Sequence, residues 1–405
     1  MEQANIIQIP QFISKYLLLA VQLLSLFIIS SSNVWAAKSF VHPGLLVTNA
    51  DFKRIRTEVA DKAQPWEKGW KKLINNSHSS LKWKANPQSV IYRGIVASET
   101  QNYGILYNDA AAAFALAIRW KVTGNTAYAD KAVEILNGWG STLTAIKGSS
   151  DKYLAAGIYG YQLANAAEIM RTYPKWSAAN FKQFKNMMLD VFYPMNHNFL
   201  VNHNGAAIDH YWSNWDLAQL NSMLAIGVLT DDRSIYDEAI DYFKNGKGNG
   251  AIHNLIWKVY SKKGIAQMQE SGRDQGHALL SVGLVGSLAQ MAWNQGDDLY
   301  GYDHNLILKG AEYEAEYNLG HSVPYTTYTN SDVTQTKISS SSRGQIRPIW
   351  ERLYNHYVVL KGLKAPYVEQ FAKKSRPEGG GGNYGPNSGG YDHLGYGTLL
   401  YSLPH

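Results

Sequence analysis

The sequence predicts an all-α protein built as an (α/α) toroid, an incomplete barrel of antiparallel helix pairs in a single domain. Apolar residues recur at helical spacing from residue 108 to residue 361. The connections between these segments are short and contain Gly, Asn, Asp or Pro. No strong alternating pattern typical of strands occurs before residue 320. A superhelical repeat is the alternative, but no fixed sequence period supports it.

Caps and breakers set the helix boundaries. Helix 108–121 is rich in alanine, begins with Asn-Asp as cap and first turn, and stops before Gly124. Helix 125–139 follows at once and places Ala129 and Leu136 on its apolar face. The same reasoning predicts further helices over residues 154–171, 177–192, 217–229, 234–244, 251–259, 277–293, 305–317 and 348–361.

The C-terminal part differs in composition. Residues 323–342 are rich in Thr, Ser and Tyr and are predicted to be extended or a long loop. The segment 379–390 is rich in glycine and is predicted to be flexible. Residues 391–401 are too apolar for a free tail, so they are expected to dock back onto the domain.

The N-terminal segment 1–36 is predicted to be a signal peptide. Lys15 precedes an apolar run over residues 16–29, and Val34-Trp35-Ala36 gives the small-x-small pattern of a cleavage site. A membrane anchor is the alternative, but the run is shorter than the roughly 20 residues needed to span a bilayer. The prediction is therefore a secreted or periplasmic protein, not held in a membrane after cleavage, with one domain over residues 37–405. The chain has no cysteine, so its stability must come from a large core.

The charge balance favours a polyanionic partner. The formal net charge is +6, which suits attraction to an acidic polymer as well as simple solubility. No run of Lys and Arg stands out, so nucleic acid is not expected. An acidic polysaccharide fits this aromatic-rich chain better, and a monomer is expected. No metal site, phosphate loop or dinucleotide motif is recognisable, so no cofactor is predicted.

Two polar clusters, each before an apolar helix, predict the functional site. Residues 202–216 contain two His, three Asn, two Asp, one Tyr and two Trp. A core segment would not bury so many hydrogen-bonding groups, and polar groups interleaved with aromatic rings suit a sugar. Residues 270–277 form the second cluster, Glu-Ser-Gly-Arg-Asp-Gln-Gly-His. Two such clusters at helix entrances indicate one site built from helix-end loops.

Several motifs resemble the alginate-lyase superfamily of polysaccharide lyases. They are His42-Pro-Gly-Leu-Leu, the helical segment 108–139, Asn214-Trp-Asp, the 270–277 cluster and Arg352-Leu-Tyr-Asn-His-Tyr. The combination looks most like the branch of glucuronan and alginate lyases, similar to polysaccharide lyase family 38. The resemblance implies an incomplete α/α toroid that cleaves uronic-acid polymers by β-elimination. It also implies a Tyr proton donor, with His, Asn or Arg around the substrate carboxylate.

The chain departs from the better-known motif Asn-Asn-His-Ser-Tyr-Trp of that superfamily. It has Asn202-His-Asn-Gly and, separately, His210-Tyr-Trp. The matching His and Tyr are therefore open. His203 and Asn202 are predicted to bind substrate. His210 is predicted to be catalytic and Tyr211 to bind substrate, but the two are adjacent, so at most one of them is expected to face it.

β-Elimination removes the proton on C5 of a uronate and expels the oxygen on C4, which requires a neutralised carboxylate, a base and an acid. Asn214 is predicted to grip the carboxylate between the platforms Trp212 and Trp215, or alternatively to cap the helix. Arg273 and His277 lie four residues apart and share a helical face. Arg273 is predicted to bind the carboxylate and His277 to act as base or neutraliser. The alternative is that Arg273 pairs with a nearby acid and His277 merely caps the helix.

The remaining predictions concern the proton donor and the residues that bind neighbouring sugar units. Tyr325, on a loop stiffened by proline, is preferred as the acid over Tyr328 and Tyr211, and Tyr328 is also predicted to bind substrate. Arg352 and His356, again four residues apart, are predicted to bind neighbouring uronate units or to pair with Glu351 and core carbonyls.

Two other classes of function compete with a lyase. A hydrolase on a similar barrel needs two carboxylates across the bond that is cleaved, and Asp209, Asp216, Glu270 and Asp274 are available. Each lies beside a cation or at a helix start, where its pKa should fall, which is wrong for a general acid. A non-catalytic sugar-binding protein would keep the aromatic platforms without needing His277 and Arg273.

Overall fold

The computed structural model describes Met1 and residues 39–95, 98–381 and 391–404. The predicted signal peptide and most of the glycine-rich segment lie outside the described residues. The described residues from Phe40 onward cluster as one compact unit. Across the described ranges, no helix is both long and apolar enough to cross a membrane.

Helices dominate the described residues, with three short strand pairs between them. The helices are α1 (Asn49–Ala60), α2 (Trp66–Ile74), α3 (Tyr103–Thr123), α4 (Thr126–Thr142), α5 (Lys152–Met170), α6 (Ala178–Met187), α7 (Tyr193–Asn202), α8 (Ser213–Thr230), α9 (Arg233–Asn245), α10 (Ile252–Leu255), α11 (Gln275–Asn294), α12 (Tyr302–Asn318), α13 (Trp350–Tyr354), α14 (Pro366–Ser375) and α15 (Gly397–Leu400). The strands are β1 (Val90–Arg93), β2 (Ala145–Gly148), β3 (Ile256–Tyr260), β4 (Ile265–Met268), β5 (Tyr328–Thr329) and β6 (Thr334–Gln335). Short 3₁₀ turns span Ser77–Ser79 and His203–Gly205, and π-helical turns span Met188–Phe192 and Asn355–Leu360.

The inner layer consists of helices that are apolar all round. Helix α5 packs against α3 on one side and α8 on the other, and α8 packs in turn against α11. Every residue from Tyr153 to Met170 of α5 is buried. A helix buried on all faces needs neighbours on all sides, so the second layer of helices is a physical requirement.

The outer layer supplies those neighbours with one apolar face each. Helix α4 packs on α3 and α6, and α9 packs on α8. Helix α9 buries Ile235, Tyr236, Ala239 and Phe243, which share one face at helical spacing. Asp232 caps its start by accepting from the backbone N–H groups of the first turn. This pairing of inner and outer helices is the predicted (α/α) toroid, and the all-α prediction is confirmed.

The expectation of no strands before residue 320 is wrong in detail. β1 pairs with β2 in parallel across the helices α3 and α4, and β3 pairs with β4 as an antiparallel hairpin. The predicted helix over 251–259 stops at Leu255, because Ile256, Trp257 and Val259 are β-branched or aromatic and continue as β3. Gly264, at φ +70°, closes the hairpin turn.

The C-terminal stretch docks back as predicted. Helix α15 is fully buried, and Leu399 packs so closely on α2 that a Cβ at Gly69 would lie 2.8 Å from its backbone nitrogen. The prediction that residues 323–342 are extended or a long loop is also confirmed, and the two-residue strands β5 and β6 lie within this region.

Candidate active site

A cleft of about 440 Å³ opens where α5, α8 and α11 begin. The start of α8 carries Asn214 and Trp215, and the turn before α11, with the first turn of that helix, carries Arg273 and His277. The two polar clusters therefore meet in one site, as the sequence indicates. The other residues that line the cleft are Arg93, Asp151, Leu154, Ile158, Asp274, Gly276, Leu280, Ser342, Gln345, Arg347 and Asp392.

Glu270 connects the two clusters beneath the cleft. Its carboxylate is fully buried and accepts hydrogen bonds from the backbone N–H and side-chain amide of Asn214, each at 2.8 Å to Oε1. Ser213 and Ser281 donate to the same oxygen. Residue Trp212, at the N-cap of α8, provides no side-chain cap. Glu270 therefore caps α8 from another segment and places a negative charge at its N-terminus, where the helix dipole favours it.

The orientation of Asn214 follows from that carboxylate. A carboxylate only accepts hydrogen bonds, so the amide nitrogen of Asn214 faces Glu270, and its Oδ1 is left without a partner. The predicted role of Asn214 as a donor to a charged substrate carboxylate does not fit this orientation. The predicted N-cap role does not fit either, because Asn214 is the second residue of α8. Its free Oδ1 can accept from a hydroxyl or from a protonated carboxyl group.

Arg273 lines the cleft and is held in place by its neighbours, with Nη2 3.3 Å from His277 Nε2 and Nε 3.7 Å from Asp274 Oδ2. Its Nη1 donates to Glu270 Oε2 at 2.9 Å, and its guanidinium lies 5.0 Å from the ring centroid of Trp212. Glu270 and Trp212 therefore fix the plane of the guanidinium. A fixed planar guanidinium suits two-pronged recognition of a carboxylate.

His277 and Asp274 form a hydrogen-bonded pair beside Arg273. The Nδ1 atom of His277 lies 2.7 Å from Asp274 Oδ2, while Oδ1 of Asp274 accepts from the His277 backbone N–H and caps α11. Burial alone would raise the pKa of Asp274, but the hydrogen bonds from His277 outweigh it and the pKa is lowered. The ionised Asp274 holds the proton on Nδ1, which leaves Nε2 as the basic nitrogen. Nε2 lies 3.3 Å from Arg273 Nη2, and the side chain is 42% exposed.

Three arginines line the cleft. Arg273 pairs with Glu270, and Arg347 pairs with Asp392 at 2.8 Å. Arg93 has no carboxylate within 4 Å in the described part of the chain, although Asp151 also lines the cleft. Arg93 could not be identified from the sequence. It ends a four-residue strand, and its partner residue in the neighbouring strand, Gly148, lies 55 positions along the chain. No local pattern marks such a residue.

The other predicted residues of the 202–216 cluster lie outside the cleft lining. His210 is exposed and pairs with Asp332 at 2.8 Å, so its prediction as a catalytic residue does not fit. Asn202 is exposed at the end of α7. His203 is buried behind α8, with Nε2 3.3 Å from Asp216 Oδ1, and can contact no substrate there.

The aromatic members of that cluster have different roles. Tyr211 is nearly buried, accepts from Asn204 and packs on Trp215 at 4.7 Å between ring centroids. Trp212 supports Arg273 rather than lining the cleft. Of the predicted aromatic platforms, only Trp215 therefore reaches the cleft.

The predicted proton donor Tyr325 lies beside the cleft rather than in it. Its hydroxyl donates to the carbonyl of Gln335 at 3.2 Å and lies against Gly272. Burial, with Tyr260 and Glu314 nearby, raises the pKa of Tyr325 to about 12. Tyr328 is nearly buried, and its hydroxyl accepts from the amide of Gln269. Neither tyrosine lines the cleft, so the prediction that one of them is the acid does not fit this arrangement.

Arg352 and His356 lie in a separate depression of about 130 Å³. Arg352 donates to the carbonyl of Gly283, and its guanidinium lies over the ring of Tyr401 at 5.2 Å. His356 stacks on Tyr300 with the ring centroids 3.8 Å apart. Their prediction as residues that bind neighbouring uronate units is thus not supported. For Arg352 the structure agrees with the alternative, a contact with a core carbonyl group.

The fold and cleft can be compared with known proteins. The sequence profile of the family described as "Alginate lyase" matches residues 76–323, more than half of the chain. No curated protein sequence matches significantly. Alginate lyase A1-III from Sphingomonas species A1 superposes with a TM-score of 0.59 at 15% identity, over 93% of this chain and 100% of that one. A variant of that enzyme complexed with a tetrasaccharide gives 0.60 at 15% identity, over 92% and 99%. An alginate lyase from Bacteroides ovatus gives 0.60 at 13% identity, over 90% and 100%.

The family match and the helical toroid together define the class, that of a polysaccharide lyase. Within this class, the chain belongs to the alginate lyase family. At 13–15% identity, the solved structures support the fold alone.

Proposed function

We propose that this protein is a secreted or periplasmic lyase that cleaves a polyuronate, glucuronan or alginate, by β-elimination. The observation that carries the proposal is the hydrogen-bonded pair of His277 and Asp274 beside Arg273, in a cleft of the family's fold. The secreted location rests on the signal-peptide pattern of residues 1–36 alone.

Arg273 would bind the carboxylate of the uronate that is cleaved. The C5 proton is weakly acidic while the neighbouring carboxylate keeps its full charge. A guanidinium on that carboxylate stabilises the charge that spreads into it as the proton leaves. The contacts of Arg273 with Glu270 and Trp212 are already made, so little reorganisation accompanies the reaction.

His277 would be the base. Its Nε2 accepts the C5 proton, the electrons of that C–H bond form the C4–C5 double bond, and the bond from C4 to the glycosidic oxygen breaks. Asp274 stabilises the imidazolium that results. The imidazolium then donates its proton from Nε2 to the departing oxygen, so the protein is restored to its starting state.

A single residue acting as base and acid implies a stereochemical preference. In glucuronate and mannuronate the C5 hydrogen and the C4 oxygen lie on the same face of the ring, whereas in guluronate they lie on opposite faces. One imidazole can serve both atoms only when they share a face. We therefore expect glucuronan and polymannuronate to be cleaved faster than polyguluronate.

The lowered pKa of Asp274 opposes a role for this residue as the general acid of a hydrolase. A hydrolase needs a carboxylic acid that is still protonated at working pH, whereas the hydrogen bonds from His277 keep Asp274 ionised. Glu270 is fully buried and already accepts several hydrogen bonds, so it is not free to protonate a substrate.

The test is to follow the ultraviolet absorbance of the C4–C5 double bond with glucuronan, polymannuronate and polyguluronate. The proposal predicts a rise with the first two polymers and a slower rise with the third. His210→Ala is a matched control, because His210 is an exposed histidine outside the cleft, and it should cleave normally. New reducing ends without absorbance would establish hydrolysis instead, and no cleavage of any of the three would exclude these substrates.

A further inference from the structure

Arg93 is the cleft arginine whose charge is not compensated by an ion pair. The other two, Arg273 and Arg347, each have a carboxylate within 3 Å. No described residue places a carboxylate within 4 Å of Arg93, yet its side chain lines the cleft and is only half-buried. A partly desolvated cation without a partner attracts an anion more strongly than a paired one.

Two tyrosines hold the Arg93 guanidinium in one position. It lies 5.1 Å from the ring centroid of Tyr103 and 5.6 Å from that of Tyr159, and its Nη1 donates to the Tyr159 hydroxyl at 3.1 Å. Burial raises the pKa of Tyr159, so the phenol stays neutral and leaves the positive charge in place. Rings on a guanidinium restrict its motion without neutralising it.

The backbone at Arg93 is also closely fitted. Arg93 is paired with Gly148 across the parallel strands β1 and β2. Gly148 has φ +129°, and a Cβ there would lie 1.8 Å from the Arg93 carbonyl oxygen. The following Gly94, at φ +87°, would place a Cβ 1.9 Å from Ser149 Oγ. Side chains at these two positions would displace the strand end, so glycine at both positions keeps Arg93 facing the cleft.

Arg93 and His277 reach the cleft at different helices of the inner layer. Arg93 rests on α3 and α5, whereas His277 belongs to α11, and α8 lies between α5 and α11 in the inner layer. Helices α5 and α11 each pack on α8, so Arg93 and His277 approach the cleft from the two sides of α8.

We propose that Arg93 binds the carboxylate of a second uronate unit, on the side of the cleft formed by α3 and α5. This inference rests on the proposed polyuronate substrate and extends it. Arg93 thereby makes catalysis depend on chain length, because only an oligomer long enough to span the cleft reaches both Arg273 and Arg93. The chemistry it recognises is a planar carboxylate on a sugar ring.

The test measures binding and turnover separately with oligouronates of increasing length. Loss of a charge-assisted hydrogen bond in Arg93→Gln should raise KM for long oligomers by about 10- to 100-fold, with a much smaller change in kcat. KM for the shortest oligomers that are cleaved should change little. Arg93→Lys should restore part of the affinity, because it keeps the charge but loses the planar fork.

Lys309→Gln is the matched control, since it removes one positive charge outside the cleft and should leave both constants unchanged. Oligomers with reduced, uncharged carboxyl groups should bind wild-type protein and Arg93→Gln equally weakly. Thermal unfolding of each variant checks that the fold is retained.

Calorimetric titration of the same oligomers measures binding without cleavage when it uses His277→Ala and the double variant His277→Ala/Arg93→Gln. The comparison of binding with turnover separates the two proposals. If long oligomers bind wild-type protein without being cleaved, and Arg93→Gln weakens that binding, the lyase proposal fails and the Arg93 subsite stands. If Arg93→Gln binds and cleaves long oligomers as wild-type protein does, the subsite is excluded while the lyase proposal stands.

Discussion

Two parts of the molecule carry an arginine and a histidine four residues apart on or next to a helix, and they behave in opposite ways. His277 is 42% exposed, and together with Arg273 it lines the cleft beside ionised Asp274. Arg352 and His356 are each only 5% exposed. Helical spacing places both pairs on a shared face, but it does not say whether that face meets solvent or the core.

The neighbours of each pair account for the difference. Asp274 and Glu270 provide carboxylates that hold Arg273 and His277 at the entrance of a helix. His356 meets no carboxylate within 4 Å among the described residues. It stacks on Tyr300, and burial lowers its pKa to about 4. A histidine is a useful base when a carboxylate fixes its tautomer and solvent reaches it, and it is a packing residue when aromatic rings surround it.

The largest expected effect is on turnover. His277→Ala should lower kcat by about 10²- to 10⁴-fold, the range for loss of a general acid–base group. His356→Ala should keep the kcat of the wild-type protein at a temperature where it is folded. Initial rates of absorbance increase on the best polymer measure both. Equal losses in the two variants would show that the cleft is not the catalytic site.

A smaller loss is expected when only the charge beside His277 is removed. Asp274→Asn keeps an N-cap oxygen for α11, since Asn caps as well as Asp, but it no longer stabilises an imidazolium. We expect kcat to fall by about 10- to 100-fold with KM changed less. The melting temperature should stay close to that of the wild-type protein. A wild-type kcat in this variant would mean that His277 acts without its carboxylate.

In the buried pair the expected effect is on stability. His356→Ala removes the ring that packs on Tyr300 and Trp293 and should lower the free energy of unfolding by about 2–4 kcal/mol. His356→Phe keeps an aromatic ring and removes a buried Nε2 that has no hydrogen-bond partner. It should therefore be near wild type or more stable. Denaturant unfolding measures both, and a Phe variant as unstable as the Ala variant would contradict the packing role.

A further effect of His356 is on how the stability of the protein depends on pH. The pKa of His356 is about 4 in the folded protein and about 6.5 when unfolded, so between these values the unfolded chain binds the extra proton. Stability from this residue is present above about pH 6.5 and is lost as the pH falls towards 4. His356→Phe should reduce this loss by roughly 3 kcal/mol at most. An unchanged slope of the unfolding free energy over that pH range would contradict the burial argument.

The sequence was sufficient for the helical architecture because inner helices such as α5 are apolar throughout and outer ones such as α9 have one apolar face. It failed at 256–268, because a short run of β-branched and aromatic residues fits a buried helix as well as a strand. Tertiary contacts with α12 and hydrogen bonds from Tyr260 and Gln267 to Thr326 accompany the hairpin there.

Site residues could be predicted from the sequence where they lie in a polar cluster at the start of a helix. Asn214, Arg273 and His277 lie in dense polar clusters, and the cleft contains them all. Arg93 reaches it by a parallel strand pairing that local sequence does not encode. Tyr325 has a suitable residue type on a suitable loop, but its hydroxyl already donates to Gln335.

The most direct test of the central claim compares wild-type protein, His277→Ala and His356→Phe on polymannuronate and glucuronan, by the absorbance of the unsaturated product. We expect the wild-type protein and His356→Phe to produce the double bond at similar rates and His277→Ala to produce almost none. Normal product formation by His277→Ala would contradict the assignment of the base and, with it, the catalytic role of this cleft.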